Sequence, residues 1–444
     1  MELHEVVTAV AAKHRIPGAA VGVLVDGREH FAAAGVTDIE NPLPIDEHTL
    51  FPIASVTKSF TATALMRLAA EGKVDLNAPV RTYVPELRLS DPDTTERVTV
   101  LHLLNHTAGL EWNLIDPDPV EDTLAAFVAK LAGLKTIAPV GARVSYSQAG
   151  YNLAGRVIEK VTGMSYEESV GRLVLRPAGL ADTVFAMDDV ARRRHATGYN
   201  RDDDGTPRPA TSWKGDRGNH PGGGAASTTA DLLRWARVQL GDDPAVRRMQ
   251  EPTAELRAST LGDAMGICWF IKDIGGVRTI GHGGSGNGQF SDLLIVPGRG
   301  FAVVSLANCG PDGYLFNQAI TQWALEHYLG VVEQPPQPVA YDEARAREAA
   351  GRYEIDVMNL DVATDGERMT LAVGIKPEIR AASETEMPAD YPAAAMGFLP
   401  SDGDGDEYVI TDGGLAGQRG YFTRSAQGVI TGIDLAGRLF TRIP

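Results

Sequence analysis

Strand-like segments lie at both ends of the first 330 residues, with a long helical region between them. Near the start, residues 19–25 and 29–34 are joined at Asp26-Gly27, a dipeptide typical of a β-hairpin. Four more strand patterns follow the helical region, at 267–272, 278–280, 290–296 and 302–306. Because strands pair through their backbones, we predict one antiparallel sheet built from both ends of this region, flanked by helices and by a helical subdomain. The predicted fold class is therefore α+β.

The two ends of this region are predicted to be helical. Residues 1–14 place Leu3, Val6, Val7 and Val10 on one face of a helix, and residues 315–329 form a second helical pattern. Acidic residues stand where a signal peptide would carry positive charge, and no apolar run approaches the ~18 residues of a membrane span. We therefore expect a cytoplasmic protein with no membrane partner.

A second domain is predicted after a proline-rich linker, Gln334-Pro-Pro-Gln-Pro-Val339. Short alternating segments with turn residues between them then follow, at 352–355, 369–373, 407–410, 420–424, 429–435 and 438–442. This spacing is typical of a small antiparallel barrel or half-barrel. We predict three parts: a first domain over 1–333, a linker over 334–348 and an all-β domain over 349–444.

The net charge of −17 argues against some partners. A chain this acidic repels a phosphate backbone, so we expect no nucleic-acid partner. The two cysteines, Cys268 and Cys309, lie in apolar, strand-like segments without a surrounding motif, and we expect two buried free thiols.

Ser55-Val-Thr-Lys58 is the strongest chemical motif, at the start of a helical pattern. A lysine three residues after a serine lies one helical turn away, and a desolvated lysine can accept the serine's proton near neutral pH. Phe51, Pro52 and Ile53 form an apolar lead-in that would bury this helix end. The pair is a candidate nucleophile and base, although such a tetrapeptide also occurs by chance on helix surfaces.

Tyr146 is the second candidate, in Tyr146-Ser-Gln148 at a predicted loop-to-helix junction. A tyrosine hydroxyl in a cleft beside a lysine can share or relay a proton. The alternative is a buried tyrosine whose hydroxyl is bonded within the core.

The third candidate is the glycine-rich run Gly281-His282-Gly-Gly-Ser-Gly-Asn-Gly288, which follows a strand pattern. Glycines there allow a substrate to approach the backbone, and an exposed N–H can stabilise an oxyanion. A phosphate-binding loop is the competing interpretation, but the glycine spacing fits neither dinucleotide nor P-loop motifs. His282 could equally be a structural histidine at the strand end.

We expect no metal and no cofactor. The sequence contains neither His-Glu-x-x-His nor Cys-x-x-Cys, the usual zinc motifs. Asp402-Gly-Asp-Gly-Asp406 resembles a calcium loop, but Glu407 and Gly413 occupy positions that need glycine and glutamate. A solvated hairpin turn fits this segment better.

Together, these motifs resemble the serine β-lactamase and penicillin-binding-protein superfamily, in particular class C β-lactamases and their esterase and D-aminopeptidase relatives. Ser55-x-x-Lys58 matches the nucleophile motif, Tyr146-Ser-Gln148 matches the Tyr-x-Asn motif, and His282-Gly-Gly284 stands where relatives carry Lys-Thr-Gly or His-x-Gly. The resemblance covers about residues 15–330, with supporting segments at 71–80, 103–110 and 221–231. The tail, from Ala350-Gly-Arg-Tyr-Glu354 to Gly437-Arg-Leu-Phe-Thr-Arg442, resembles a lipocalin-like domain.

The resemblance implies catalytic roles for Ser55, Lys58, Tyr146 and His282. Ser55 would form an acyl-enzyme, Lys58 and Tyr146 would carry its proton to the leaving group, and His282 would line the pocket. The backbone N–H groups of Ser55 and Ser285 would form the oxyanion hole. The substrate would lie along Gln148, Gly283 and Gly284.

Gln148 departs from the pattern, since relatives carry asparagine there. The extra methylene argues more against β-lactamase activity than against acyl transfer in general. We therefore expect a serine hydrolase that acts on an ester or amide of a small molecule or peptide. The alternatives are a penicillin-binding-protein-type thioesterase that cyclises or releases a peptide, with a substrate held on a carrier protein, and a non-catalytic binding protein on the same fold.

Overall fold

Two β structures organise the chain: an eight-stranded antiparallel sheet and a closed eight-stranded barrel. The computed structural model describes residues 2–114, 123–202, 204–210, 212–213, 216–382, 390–400 and 406–443. Most of Asp402–Asp406, the segment predicted to be a hairpin turn, lies outside them. None of the helices in the described ranges combines the length and apolar character that a bilayer span requires.

Of the described helices, α1 to α13 surround the sheet or form the helical subdomain, and α14 and α15 belong to the barrel region. The bounds of α1 to α15 are Leu3–Lys13, Lys58–Ala70, Pro92–Arg97, Val100–Leu104, Leu124–Lys130, Gln148–Thr162, Tyr166–Val170, Arg176–Ala178, Met187–Ala191, His220–Gly223, Thr229–Leu240, Pro244–Met249, Asp312–Leu329, Glu343–Ala349 and Pro377–Ala382.

The described strands, β1 to β21, fall mostly into the sheet (β1, β2, β7 to β12) and the barrel (β14 to β21). Their bounds are Gly18–Val25, Arg28–Gly35, Phe51–Pro52, Tyr199–Arg201, Pro207–Pro209, Ala226–Ser227, Ala254–Glu255, Ala264–Met265, Phe270–Ile274, Val277–Gly286, Gln289–Val296, Phe301–Ala307, Cys309–Gly310, Gly351–Glu354, Met358–Thr364, Met369–Ile375, Tyr391–Phe398, Glu407–Ile410, Arg419–Arg424, Ile430–Leu435 and Arg438–Arg442.

The sheet is assembled from both ends of the first domain, as the strand patterns predict. Its order is β2-β1-β12-β11-β10-β9-β8-β7, and β1 pairs antiparallel with β12 through partners such as Val21 and Ser305. The β1–β2 hairpin turns at Asp26 and Gly27, whose φ angles of +50° and +72° suit a tight hairpin turn. The predicted α+β fold class is thus confirmed.

The sheet is covered by helices on both faces, because β1 alternates its side chains between two cores. Val21 and Val23 pack with α1 and α13, through residues such as Val7 and Phe316. Ala20 and Leu24 point to the opposite core, which contains α2, α6 and α11. Leu3, Val6 and Val7 are buried on α1, which confirms the predicted N-terminal helix.

Two strand predictions were wrong in extent. The predicted strand over 267–272 begins only at Phe270, because residues 266–269 form a turn in which Cys268 has a φ of +75°. The strand predicted over 278–280 continues to Gly286, through most of the glycine-rich run, and pairs with β11 from Ile280 to Gly286. Both Cys268 and Cys309 are buried and free, as expected.

The C-terminal strands close into a barrel with two strands more than the six predicted. The additional strands are β15 and β17. In β17, Pro392 and three consecutive alanines weaken the strand signal, although Met396 and Phe398 face the barrel core. The barrel core is apolar, with Tyr353, Leu371 and Phe440 among its buried residues.

Candidate active site

Ser55 lies on a short 3₁₀ turn, Ala54–Thr57, immediately before α2. The sequence pattern predicted that Ser55 lies at the N-terminal end of a helix, and the structure places it in the turn that leads into α2, which begins with Lys58. Ala54 has a φ of +42°, a left-handed conformation that costs roughly 1 kcal/mol and sharpens the turn. The turn is anchored to the sheet because Ser291 Oγ on β11 donates to Ile53 O at 2.8 Å.

Lys58 is fully buried and surrounded by oxygen atoms. Its Nζ lies 3.1 Å from Ser55 Oγ, 2.5 Å from Gln148 Oε1 and 2.6 Å from the carbonyl oxygen of Gly222. Within the described ranges, Lys58 forms no ion pair with a carboxylate. Burial therefore lowers the pKa of Lys58 well below its ordinary value, and the positive charge of Arg438 lowers it further.

Tyr146 lies beside this pair, just before α6. Its hydroxyl interacts with that of Ser55, and Lys58 Nζ lies 4.9 Å from the centre of its ring. The ring packs between His106 and Phe270, with centroids 4.3 and 6.2 Å away. Burial raises the pKa of Tyr146, so the phenol is protonated near neutral pH and can pass a proton on.

Gln148 is the first residue of α6 and reaches Lys58 despite its extra methylene. Space for the longer side chain comes from Gly222 on α10, where an added Cβ would overlap the carboxamide of Gln148. The neighbouring Ser147 caps α6 by accepting from the Gly150 amide at 3.1 Å, which fixes the direction in which Gln148 projects.

His282 is buried on β10, with its ring 6.1 Å from that of Tyr146. Burial lowers the pKa of His282 to about 3, and Nδ1 lies 2.6 Å from the carbonyl oxygen of Gly283. The imidazole is therefore neutral at physiological pH, with the Nδ1 proton donated to that carbonyl. The opposite nitrogen, Nε2, is buried and lacks a hydrogen-bond partner among the described residues.

The glycines of β10 bring the strand against the serine turn. An added Cβ at Gly284 would overlap Ile53 O and come within 2.9 Å of the Ser55 amide nitrogen. Gly284 therefore lies directly against the serine turn, with Gly283 before it and Ser285 after it on β10. The predicted oxyanion donors, the amides of Ser55 and Ser285, thus belong to two segments in direct contact.

Three further residues at the site had not been predicted. His106 has its ring against Tyr146, and its Nδ1 accepts from the Ser147 amide at 3.1 Å. The buried Cys268 thiol interacts electrostatically with Lys58, and Arg438 reaches the site from the barrel. His106 lies in the segment 103–110 that supported the family resemblance, but no spacing rule connects it to Tyr146.

The arrangement suits proton transfer from a serine. A neutral amine has two N–H donors and one lone pair, and Lys58 faces two carbonyl-type acceptors and one hydroxyl. The donors can bond Gln148 and Gly222 while the lone pair accepts the Ser55 proton. No group of three metal-ligating side chains occurs within the described ranges.

Comparisons of the sequence with known proteins point to the same family as the motifs around Ser55, Tyr146 and His282. The family model described as Beta-lactamase matches residues 3–325. Penicillin-binding protein 4 of Amycolatopsis lactamdurans is 30% identical over 365 residues, which span 78% of this chain and 95% of the relative.

Two solved structures show related folds. SurE with D-Leu is 24% identical, with a TM-score of 0.77 over 99% of this chain and 98% of that chain. The class C β-lactamase from Rhodobacter sphaeroides is also 24% identical, with a TM-score of 0.61 over 73% of this chain and 99% of that chain. The first match includes the barrel.

Proposed function

Because the chain belongs to the β-lactamase family, whose members are typically serine hydrolases, we propose that it cleaves an ester or amide bond through an acyl-enzyme on Ser55. The substrate would be the acyl group of a small molecule or peptide. The main support for this proposal is the position of Lys58. Its buried amine has no carboxylate partner among the described residues and lies 3.1 Å from the Ser55 hydroxyl.

In the proposed mechanism, Ser55 Oγ attacks the substrate carbonyl while its proton moves to Lys58 Nζ. The negative charge of the tetrahedral intermediate is stabilised by the amides of Ser55 and Ser285, a type of contact worth about 3 kcal/mol per donor. Collapse of the intermediate breaks the bond to the leaving group. That group takes the proton from Lys58, directly or through the Tyr146 hydroxyl.

The acyl-enzyme is then released by a second nucleophile. Water would give a carboxylic acid: its proton passes to Lys58, directly or through the Tyr146 hydroxyl, and is returned to Ser55 Oγ as the acyl bond breaks. His282 stays neutral throughout and lines the pocket.

Acyl transfer to an amine is the second candidate function. It is favoured by the fold shared with SurE, whose structure was solved with D-Leu, a compound that carries both an amine and a carboxylate. In this chain, an amine in the place of water would yield a cyclised or extended peptide, with the acyl group delivered from a carrier protein.

Intact mass after incubation with a fluorophosphonate tests the acyl-enzyme proposal. Wild-type protein should gain one phosphonyl group, and Ser55→Ala should gain none. A benzylpenicillin incubation in parallel asks whether the site also accepts a β-lactam. An unmodified wild-type protein would contradict the assignment and favour a non-catalytic binding protein, whereas an adduct that persists in Ser55→Ala would show that the reactive nucleophile is another residue.

A peptidyl thioester separates hydrolysis from acyl transfer. Mass spectrometry of the products should show linear acid if water is the acceptor. Cyclic peptide, formed by wild type and absent with Ser55→Ala, would instead establish the second candidate.

A further inference from the structure

The last hairpin of the barrel reaches the catalytic tyrosine. Between β20 and β21, Ala436 and Gly437 have φ angles of +52° and +73°, which form a tight turn. The carbonyl oxygen of Gly437 accepts a hydrogen bond from the Tyr146 amide at 2.8 Å. The backbone of the proton-relay residue is therefore held by the C-terminal domain, some 290 residues away in sequence.

The next residue, Arg438, packs on the side chains around that contact. Its guanidinium carbon lies 5.0 Å from the ring centre of Trp112 and 5.7 Å from that of Tyr146. The carbonyl oxygen of Trp112 accepts from the amides of Gln148 and Ala149, at 2.7 and 3.1 Å. The Arg438 guanidinium thus packs on the ring of Tyr146 and on the ring of Trp112, whose carbonyl holds the start of α6.

Among the described residues, the carboxylate of Glu111 acts on Arg438 only through its charge, without a direct contact. Arg438 forms no ion pair with any described residue, and its buried Nε has no hydrogen-bond partner among them. A guanidinium is permanently charged and costly to bury. Its positive charge opposes the effect of burial on Tyr146, lowering that pKa, and adds to the lowering of the Lys58 pKa.

We propose that Arg438 is a positioning residue, and that the last hairpin of the barrel completes the active site by fixing Tyr146 against Ser55 and Lys58. The proposal rests on the proposed function for its kinetic test, but its structural test does not. Under this proposal the barrel helps to position a residue of the active site, which a barrel without contact to that site could not do.

Arg442 provides a matched control for Arg438. It lies on the same strand, and its guanidinium is also 5.7 Å from a tyrosine ring, that of Tyr353 in the barrel. We compare Arg438→Met, which removes the charge but keeps an apolar stem, with Arg438→Lys, which keeps the charge, and with Arg442→Met.

The kinetic readout is the labelling of Ser55 by a neutral fluorophosphonate, which offers no carboxylate for Arg438 to bind. Arg438→Met should lower the maximal labelling rate by about 10- to 100-fold at an unchanged half-saturating concentration, because misplacement near 1 Å has that cost. Arg438→Lys should recover part of the rate, and Arg442→Met should label at the wild-type rate.

The pH profile separates charge from packing. His106, Tyr151, Cys268, His282 and Arg438 interact electrostatically with Lys58 or Tyr146, and Glu111 interacts with Arg438. Loss of a nearby positive charge raises the pKa of an amine, so the acid limb of labelling should move up by about half a pH unit to one unit in Arg438→Met. In Arg438→Lys, the limb should stay at the wild-type pH.

Hydrogen–deuterium exchange tests the positioning without any activity. The Tyr146 amide should exchange faster in Arg438→Met, less so in Arg438→Lys, and at the wild-type rate in Arg442→Met. If Arg438→Met does not fold, the lysine variant carries this test. If wild type is not labelled at all, the proposed function fails and exchange alone decides the role of Arg438.

Two results would overturn the proposal. One is an Arg438→Met variant whose Ser55 labelling rate and Tyr146 amide exchange rate both equal those of wild type. The other is a loss confined to acylation by benzylpenicillin, which carries a carboxylate, because that would make Arg438 a substrate contact.

Discussion

Lys58 and Glu167 are two largely buried ionisable residues held by the same segment, residues 217–222, yet their surroundings are opposite. Lys58 bonds the carbonyl oxygen of Gly222 and has no carboxylate partner in the described part of the chain. Glu167 accepts from His220 Nδ1 at 2.7 Å and from Nε and Nη2 of Arg217, both at 3.0 Å. Among the described residues, Lys58 thus has no carboxylate partner, whereas Glu167 has two hydrogen-bonding partners, one of them the guanidinium of Arg217.

The pKa values follow this difference. Burial lowers the pKa of Lys58, so the amine favours its neutral form. Burial would raise the pKa of Glu167, but the hydrogen bonds from His220 and Arg217 outweigh it and hold that pKa well below its usual range. A paired charge stabilises the fold, whereas an unpaired amine beside a hydroxyl is available for proton transfer.

The largest predicted effect is on reactivity. Lys58→Met should slow fluorophosphonate labelling of Ser55 by about 10³- to 10⁴-fold, because the proton acceptor is lost. Glu167→Gln, its counterpart in the other cluster, should label within a fewfold of wild type when measured on folded protein. A Lys58→Met rate within tenfold of wild type would remove Lys58 from the role of base.

Two adjacent glycines test how closely the shared segment fits the Lys58 site. Gly222→Ala should slow labelling by about 10²-fold, because its Cβ would displace Gln148 from Lys58. Gly223→Ala is the matched control, since its Cβ would meet neighbouring atoms only at 3.6 Å or beyond. Equal rates in the two variants would show that the position of Gln148 does not matter.

Stability should respond in the opposite way to reactivity. Glu167→Gln should lower the free energy of unfolding by about 2 kcal/mol, since it leaves His220 and the half-exposed Arg217 without their carboxylate. Lys58→Met should leave stability unchanged or raise it, because an apolar side chain replaces a desolvated amine. Urea denaturation near neutral pH measures both; a clear loss in Lys58→Met would contradict the comparison.

The smallest predicted effects are changes with pH, which have the same sign for Glu167 and Lys58 but fall in different pH ranges. The pKa of Glu167 is lowered in the folded state, so its stabilisation is present above the unfolded value near 4.5 and is lost as the pH falls below it. The deficit of Glu167→Gln should therefore shrink in acid.

The effect of Lys58 appears at higher pH, because the unfolded chain keeps its lysine proton up to about pH 10.5 while the folded chain releases it earlier. Wild-type stability should gain on that of Lys58→Met as the pH rises toward 10.5. Unfolding curves at a series of pH values would show these slopes, and parallel curves for all three proteins would contradict both assignments.

Local patterns were enough to predict the fold class and the serine–lysine pair. The hairpin at Asp26-Gly27 and the alternation in β1 are properties of neighbouring residues, and Ser55 and Lys58 are one turn apart. Strand ends in β9 and β10 were wrong because Cys268 turns the chain and the glycines pair with β11 in spite of their low strand propensity.

Long-range features of the site were not predictable. The Gly222 carbonyl, the His106 ring and the Arg438 guanidinium reach the site from segments whose relative placement depends on the whole fold. Even Gln148, which differs from the family pattern, needed the position of Gly222 to explain how its longer side chain fits.

The most direct test of the account is the protonation state of Lys58. A pH titration followed by the ¹³Cε resonance of Lys58, assigned by its absence in Lys58→Met, gives the pKa of this amine. We predict a midpoint well below 10.5, with the neutral form present at the pH where Ser55 is labelled. A midpoint near 10.5 would contradict the account, because a charged Lys58 has no lone pair to accept the proton of Ser55.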